Sequence, residues 1–158
     1  MRIRIMLLLV ACLMGSFLVL PALAFEPQAP GPDDRCPVCG MFVAKYPEWV
    51  ATFVLQDGAQ IYFDGAKDMF RYYFRLPQQR VTREDIRQIY VTEYYSARFV
   101  PVDEVFFVLG SEQLGPMGAE LVPVAGRQQA ETFMRDYNGK QIVTFEQVTP
   151  ELLPPQHR

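Results

Sequence analysis

The sequence predicts an α+β protein made of two similar strand-strand-helix-strand units that pack into one compact body. Two observations lead to this prediction. Short segments rich in β-branched and aromatic residues alternate with two amphipathic helical patterns, and the same order of segments recurs in the second half of the chain. Each unit is too small to bury a stable core alone, so we expect the two to share one.

The first 24 residues have the pattern of a secretory signal peptide. Arg2 and Arg4 precede an apolar run over residues 5–20, which ends before the small residues Ala22-Leu23-Ala24. Cleavage is therefore expected before Phe25, and the protein is expected in the periplasm.

The same region also fits a bacterial lipobox, Leu9-Val10-Ala11-Cys12. If Cys12 is lipidated, it becomes the new N-terminus and the protein is a membrane-anchored lipoprotein. We expect contact with a membrane only in that case. Both interpretations predict export.

The charge of the exported chain excludes some partners. Removal of 24 of the 158 residues leaves 134, and Lys plus Arg falls from 15 to 13 against 18 Asp plus Glu. A net charge of −5 argues against nucleic acid or an anionic membrane surface as a partner. The remaining length is that of one ordinary domain.

The first unit is predicted over residues 35–100, after a Pro-rich linker over residues 25–34 in which nothing is expected to pack. Strands over residues 50–55 and 60–63 flank Gln56-Asp57-Gly58. This arrangement is a strong hairpin signal.

An amphipathic helix follows the hairpin, and a strand over residues 86–95 completes the first unit. Asp64 stands where an N-cap is expected, and the helix is predicted to end before Pro77. The apolar positions recur with helical spacing: Ala66, Met69, Phe70, Tyr73 and Phe74.

The second unit, predicted over residues 101–150, repeats this plan. A strand near residues 106–110 precedes a helix that ends at Asn138-Gly139, and a strand follows over residues 141–146. The tail over residues 151–158 is expected to be flexible. The apolar positions of the second helix have the same offsets as those of the first: Ala130, Phe133, Met134 and Tyr137.

The chemistry of the chain is concentrated in Cys36-Pro37-Val38-Cys39-Gly40-Met41. Gly40 can adopt a positive φ, so the segment can form a tight turn whose backbone amides point at a bound ion. The Cys-x-x-Cys spacing also suits a redox pair. The motif alone therefore does not choose between metal binding and disulfide chemistry.

The donors elsewhere in the sequence favour copper(I) over zinc. A structural zinc site needs four donors, and the only histidine, His157, lies in the predicted tail. The aspartates at positions 57, 64 and 68 are interpreted as turn and cap residues. The remaining soft donors are thioethers, and a thiolate-thioether set selects copper(I).

The methionines fall into two groups. Met69 and Met134 lie on the apolar faces of the helices and are interpreted as core residues. Met41 follows the cysteines, and Met117 stands in the tight loop Gly115-Pro116-Met117-Gly118. Met117 either faces the cysteine motif or fills a gap between the units.

The segments CPVCGM and GPMGAEL, together with Tyr62-Phe63-Asp64-Gly65, resemble the NosL family, and the resemblance covers residues 35–148. Members are exported copper-binding accessory proteins of nitrous oxide reductase with two homologous strand-strand-helix-strand units. The resemblance implies that Cys39 and Met41 bind copper(I) and that Met117 is the methionine of the second unit. Cys36 joins this predicted set as the second thiol of the motif.

Three hypotheses follow from the sequence. The first is a non-enzymatic copper(I) chaperone that delivers its ion to a periplasmic copper enzyme, with nitrous oxide reductase or its assembly machinery as the expected partner. The second is a periplasmic thiol-disulfide oxidoreductase that uses Cys36 and Cys39. The third is a structural zinc module completed across a dimer. No Ser/His/Asp set or Gly-rich phosphate loop is present in the sequence.

Overall fold

The computed structural model describes residues 27–155. Two antiparallel sheets and two helices form the fold, with short 3₁₀ turns between them. In chain order the strands and helices are β1 Ala51–Leu55, β2 Gln60–Phe63, α1 Ala66–Phe74, β3 Ile86–Thr92, β4 Phe99–Pro101, β5 Val105–Gly115, β6 Gly118–Ala125, α2 Arg127–Asp136 and β7 Gln141–Val143. The predicted α+β class with two strand-strand-helix-strand units is confirmed.

The two sheets have the same central plan, in which the first strand of a unit lies between its other two strands. The first sheet has the order β2-β1-β3-β4, and the second has the order β6-β5-β7. Thr52 on β1 pairs with Tyr62 on one side and with Tyr90 on the other. Val108 on β5 likewise pairs with Val122 and Ile142.

The first helix has the predicted length and the predicted buried face. Met69 and Phe70 on α1 are completely buried, and the helix ends at Phe74, before Pro77. The predicted N-cap is wrong. Gly65 occupies the N-cap position, and α1 has no side-chain cap of its own. Asp64 therefore has a different role, described below.

One hydrophobic core joins the two units. The ring of Phe70 on α1 packs edge-on against Phe107 on β5, with 5.1 Å between the ring centroids. Leu121 on β6 is completely buried in the same cluster. A second, smaller cluster lies under α2 and contains Val108, Val122, Val124, Ala130 and Phe133. The expectation that the two units form one body is confirmed.

Three details of the secondary structure differ from the predictions. The strand predicted over residues 86–95 ends at Thr92, and β4 follows it without a clear sequence signal. The last strand ends at Val143 because Thr144 and Gln147 form a capping box that begins a 3₁₀ turn.

The segments before and after the two units are packed where the structure describes them. Pro27 is buried, and the carbonyl of Gln28 accepts a hydrogen bond of 3.1 Å from the Tyr62 hydroxyl, so residues 27–34 are not a linker without packing. Leu153 packs against the core, and the carbonyl of Pro154 accepts a hydrogen bond from Arg71. Residues 153 and 154 thus contact the folded body, and the flexibility of the tail stays a prediction.

Several sequence predictions lie outside the described residues. The signal peptide over residues 1–24, the lipobox Cys12 and the tail residue His157 all belong to segments that the structure does not describe. Between residues 27 and 155, no helix combines the length and the apolar character that a membrane crossing requires.

Candidate metal centre

The cysteine motif forms a closed turn at the start of the first unit. The amide of Gly40 donates to the carbonyl of Cys36 over 2.8 Å, and the amide of Cys36 donates to the carbonyl of Met41 over 2.9 Å. Gly40 has a φ of 79°, as predicted for this turn. Arg35 closes the turn through a bridge to Phe42. The turn thus holds both cysteines on a short, hydrogen-bonded scaffold.

Backbone amides of this region favour the thiolate form of the two cysteines. Burial raises the pKa of both thiols, whereas the amide of Met41 acts to lower the pKa of Cys39, and the amides of Asp64 and Cys39 act to lower that of Cys36. Amide donors stabilise a thiolate more than a thiol. The turn is therefore built to hold sulfur ligands in their deprotonated form once a cation compensates their charge.

Two aspartates complete a four-residue cluster with the cysteines. The sulfurs of Cys36 and Cys39 and carboxylate oxygens of Asp64 and Asp68 all lie within 4.8 Å of one another. The sequence interpretation of both aspartates as turn and cap residues is therefore wrong. Asp64 precedes α1 and Asp68 lies in its first turn, and the carboxylates of both reach the cysteine turn.

The two carboxylates have different partners. One oxygen of Asp68 forms a buried ion pair of 2.6 Å with Arg71, and the other accepts from the thiol of Cys36 over 3.7 Å. In contrast, Oδ1 of Asp64 is buried and has no hydrogen-bond partner among the described residues. A buried oxygen without a partner is costly. A cation at this cluster would satisfy it, so the donor set fits a metal ion.

The electrostatics of the cluster keep both thiols protonated in the metal-free protein. Burial and the charge of Asp64 raise the pKa of Cys36 far above its ordinary value. Burial raises the pKa of Cys39 to about 12, although the Met41 amide opposes the shift. Metal binding at these thiols must therefore release protons.

A hairpin of the second unit reaches the first turn of α1, next to this cluster. Pro116 and Met117 form a two-residue turn between β5 and β6, since Gly115 pairs with Gly118. The carbonyl of Met117 accepts a hydrogen bond of 2.8 Å from Nζ of Lys67, which lies between Asp64 and Asp68 in the sequence. This contact brings the backbone of the predicted second-unit ligand to the same end of the helix.

The predicted site residues differ in how closely they lie together and in how deeply they are buried. It brings Cys36 and Cys39 together, with Cys36 buried and Cys39 half-buried. Met41 and Met117 are both half-buried, and their roles as thioether ligands stay predictions. Met69 and Met134 pack against the two hydrophobic clusters, which confirms that they are core residues.

The fold and this sulfur-carboxylate cluster define a small α+β protein with a candidate cation site. The family profile described as NosL matches residues 27–153, so the chain belongs to the NosL family. No curated protein matches the chain.

Two solved structures of the family are similar to this chain. One is the crystal structure of the copper chaperone NosL from Shewanella denitrificans, with a TM-score of 0.64 and 24% identity over 80% of this chain and 99% of that chain. The other is the solution structure of the apo-NosL protein from Achromobacter cycloclastes, with a TM-score of 0.46 and 27% identity over 65% of this chain and 87% of that chain. The likeness to the Shewanella protein shows the fold.

Proposed function

We propose that the protein is an exported copper(I) chaperone that binds one ion and passes it to a periplasmic copper enzyme. Its ligands would be Cys36, Cys39, Met41 and Met117. The observation that carries this proposal is the pair of cysteines that the hydrogen-bonded turn brings together. Thiolates and thioethers are the donors that select copper(I). The Shewanella family member is a copper chaperone, which supports the same role for this chain.

The exposure of the ligands suits transfer of an ion instead of permanent storage. Cys36 is 1% exposed, whereas Cys39 and Met41 are half-buried and can be approached from solvent. An incoming ligand of the acceptor protein would therefore replace Cys39 or Met41 first. The buried Cys36 would be the last of these ligands that the acceptor reaches. Such a carrier needs no catalytic step.

Family membership suggests the client. The resemblance to the NosL family implies an accessory protein of nitrous oxide reductase. We therefore propose this enzyme or its assembly machinery as the acceptor. The exchange would take place in the periplasm, because the signal pattern over residues 1–24 predicts export.

The thiol chemistry disfavours the oxidoreductase hypothesis. A thiol-disulfide oxidoreductase needs a cysteine whose pKa is lowered, which is often achieved at a helix N-terminus. Here burial raises the pKa of both Cys36 and Cys39, and the two residues lie on a turn instead of a helix. Attack by a thiolate at neutral pH would be slow.

Zinc(II) is a second candidate because of the two aspartates. Together with the cysteines they give one chain four donors, so a partner chain is not needed to complete a tetrahedron. The ion pair with Arg71 engages Asp68, which makes Asp64 the better oxygen donor. A zinc ion would then be held by Cys36, Cys39 and Asp64, with Asp68 as the weaker fourth donor.

Anaerobic titration of the reduced protein tests these alternatives. Copper(I), buffered by a chromogenic chelator, should bind with a stoichiometry of one and more tightly than zinc(II). Cys39→Ser should abolish copper(I) binding, whereas Cys36→Ser should leave measurable binding. Equal losses from both variants would show that the two thiolates contribute equally and that Cys39 and Met41 are not the primary donors. A higher affinity for zinc(II) than for copper(I) would favour the zinc module.

A further inference from the structure

Two buried charged residues, Lys67 on α1 and Glu120 on β6, connect the two units next to the candidate metal centre. Oε1 of Glu120 accepts from the amide of Lys67 over 2.5 Å and from the amide of Leu121 over 2.9 Å. Nζ of Lys67 donates to the carbonyls of Met117 and Ala119, both over 2.8 Å. Each side chain therefore binds the backbone of the other unit.

Glu120 supplies the cap that α1 lacks in its own sequence. The N-cap residue Gly65 has no side chain, and the first free amides of a helix need an acceptor. The carboxyl of Glu120 provides it at Lys67, where the helix dipole also favours negative charge. The end of α1 that carries Asp64 and Asp68 is thus fixed by a residue of the second unit.

Gly65 leaves the room that this contact requires. A Cβ atom at position 65 would overlap Oε2 of Glu120 and would lie 2.9 Å from Cδ of the same side chain. The φ of Gly65 is 178°, an extended conformation that any residue adopts, so backbone strain does not explain the glycine. The close approach of the Glu120 carboxyl does.

The outer part of the β5–β6 hairpin depends on the contacts of Lys67 and Glu120 for its position. The middle of β5 is held by hydrogen bonds from the amide of Glu112 to Tyr137 and from the Tyr94 hydroxyl to Gln113. Beyond that point Leu114 is 63% exposed and contributes little packing. The turn itself is tied to α1 through Lys67.

We propose that Lys67 and Glu120 are positioning residues that hold the hairpin turn so that Met117 completes the copper(I) site. This inference rests on the proposed function, because it assigns these residues an effect through Met117 and not through direct contact with the ion. Preorganisation of a ligand increases affinity by removing the cost of ordering it on binding.

Glu120→Ala tests this role against a matched control, Glu93→Ala. Both glutamates are 4% exposed, and both accept hydrogen bonds from backbone amides, which for Glu93 include those of Ser96 and Ala125. Both variants lose comparable contacts, but only Glu120→Ala should weaken copper(I) binding, by about tenfold. Glu120→Gln keeps an acceptor oxygen and should restore most of the affinity.

A double-mutant cycle with Met117→Leu separates positioning from a general structural effect. If Glu120 acts through Met117, Glu120→Ala should weaken copper(I) binding in the parent and should have no further effect in the Met117→Leu protein. Equal losses in both backgrounds would overturn the inference. An unchanged affinity of Glu120→Ala in the parent background would overturn it as well.

Gly65→Ala provides a second route if Glu120→Ala does not fold. This variant leaves Glu120 in the chain but displaces its carboxyl. It should therefore weaken copper(I) binding in the parent background and have no further effect in the Met117→Leu background. If this loss of affinity is absent, the inference is overturned. Failure of the proposed function has a different signature. A parent protein that does not bind copper(I) would overturn both proposals. If the parent binds copper(I) and Met117→Leu weakens the binding, but Glu120→Ala and Gly65→Ala do not, only the positioning role is overturned.

Discussion

Glu120→Gln should change how the stability of the metal-free protein depends on pH. Burial raises the pKa of Glu120 from the ordinary 4.5 to about 7, against the charge of Lys67 and the amides of Leu121 and Lys67. The folded protein therefore retains this proton at pH values where the unfolded chain has lost it. The resulting stabilisation is complete below pH 4.5 and is lost as the pH rises through about 7.

The size of this effect follows from the two pKa values. The rise from 4.5 to about 7 corresponds to about 3 kcal/mol of unfolding free energy, lost between pH 4.5 and 8. A glutamine does not titrate, so this contribution to the pH dependence disappears in Glu120→Gln. Urea unfolding of the reduced, metal-free proteins at several pH values from 4.5 to 8 measures the difference. The parent should lose stability relative to Glu120→Gln as the pH rises.

Glu93→Gln is the control for this experiment. Burial raises the pKa of Glu93, but hydrogen bonds from Ser96 and from the amides of Tyr95 and Ala125 outweigh it, so the pKa is lowered overall. The stabilisation from Glu93 is therefore present above the ordinary pKa and is lost only as the pH falls. The unfolding free energy of Glu93→Gln should therefore change with pH in the same way as that of the parent between pH 5 and 8. Parallel curves for the parent and Glu120→Gln would refute the reasoning.

Three further predictions concern the site and the core. Met117→Leu should lower copper(I) affinity in a chelator competition, while its unfolding free energy should fall by less than about 1.5 kcal/mol. Met134→Leu should leave the copper(I) affinity unchanged, and the reverse result would exchange the roles of ligand and core residue between the two methionines. Asp64→Asn should weaken zinc(II) binding far more than copper(I) binding in parallel titrations, and a larger loss for copper(I) would show that the carboxylate serves the soft ion. Phe70→Ala should cost about 3–5 kcal/mol in denaturant unfolding and keep one transition, because Phe70 belongs to the core that both units share; two separate transitions would show that the units fold independently.

Local patterns in the sequence predicted much of the fold. The periodic apolar positions located α1 and α2, and the residues Gln56-Asp57-Gly58 located the turn between β1 and β2. Gly40 adopts the positive φ that its place in the cysteine motif indicated. These features depend on neighbours within a few residues, which is why a single sequence reveals them. The short strand β4 has no comparable local signal.

The sequence did not reveal the aspartates of the candidate site, for a physical reason. An aspartate before a helix is the usual N-cap, and nothing local distinguishes Asp64 from one. The distinction comes from Gly65, which takes the N-cap position, and from Cys36, which lies 32 residues before Asp68 and contacts it only in the folded chain. The available signal was two aspartates four residues apart at the predicted start of a helix, which is one more carboxylate than an N-cap requires.

The unequal burial of the two cysteines makes them separable by alkylation. Cys36 is 1% exposed, whereas Cys39 is half-buried, so at alkaline pH, where some Cys39 thiolate forms despite its raised pKa, a small alkylating reagent should modify Cys39 first and Cys36 only after the chain opens. Mass spectrometry of the singly modified protein would then report on one sulfur at a time without any substitution. Protection of Cys39 during a pulse of reagent would report occupancy of the turn, and modification of Cys36 would report unfolding in the same sample.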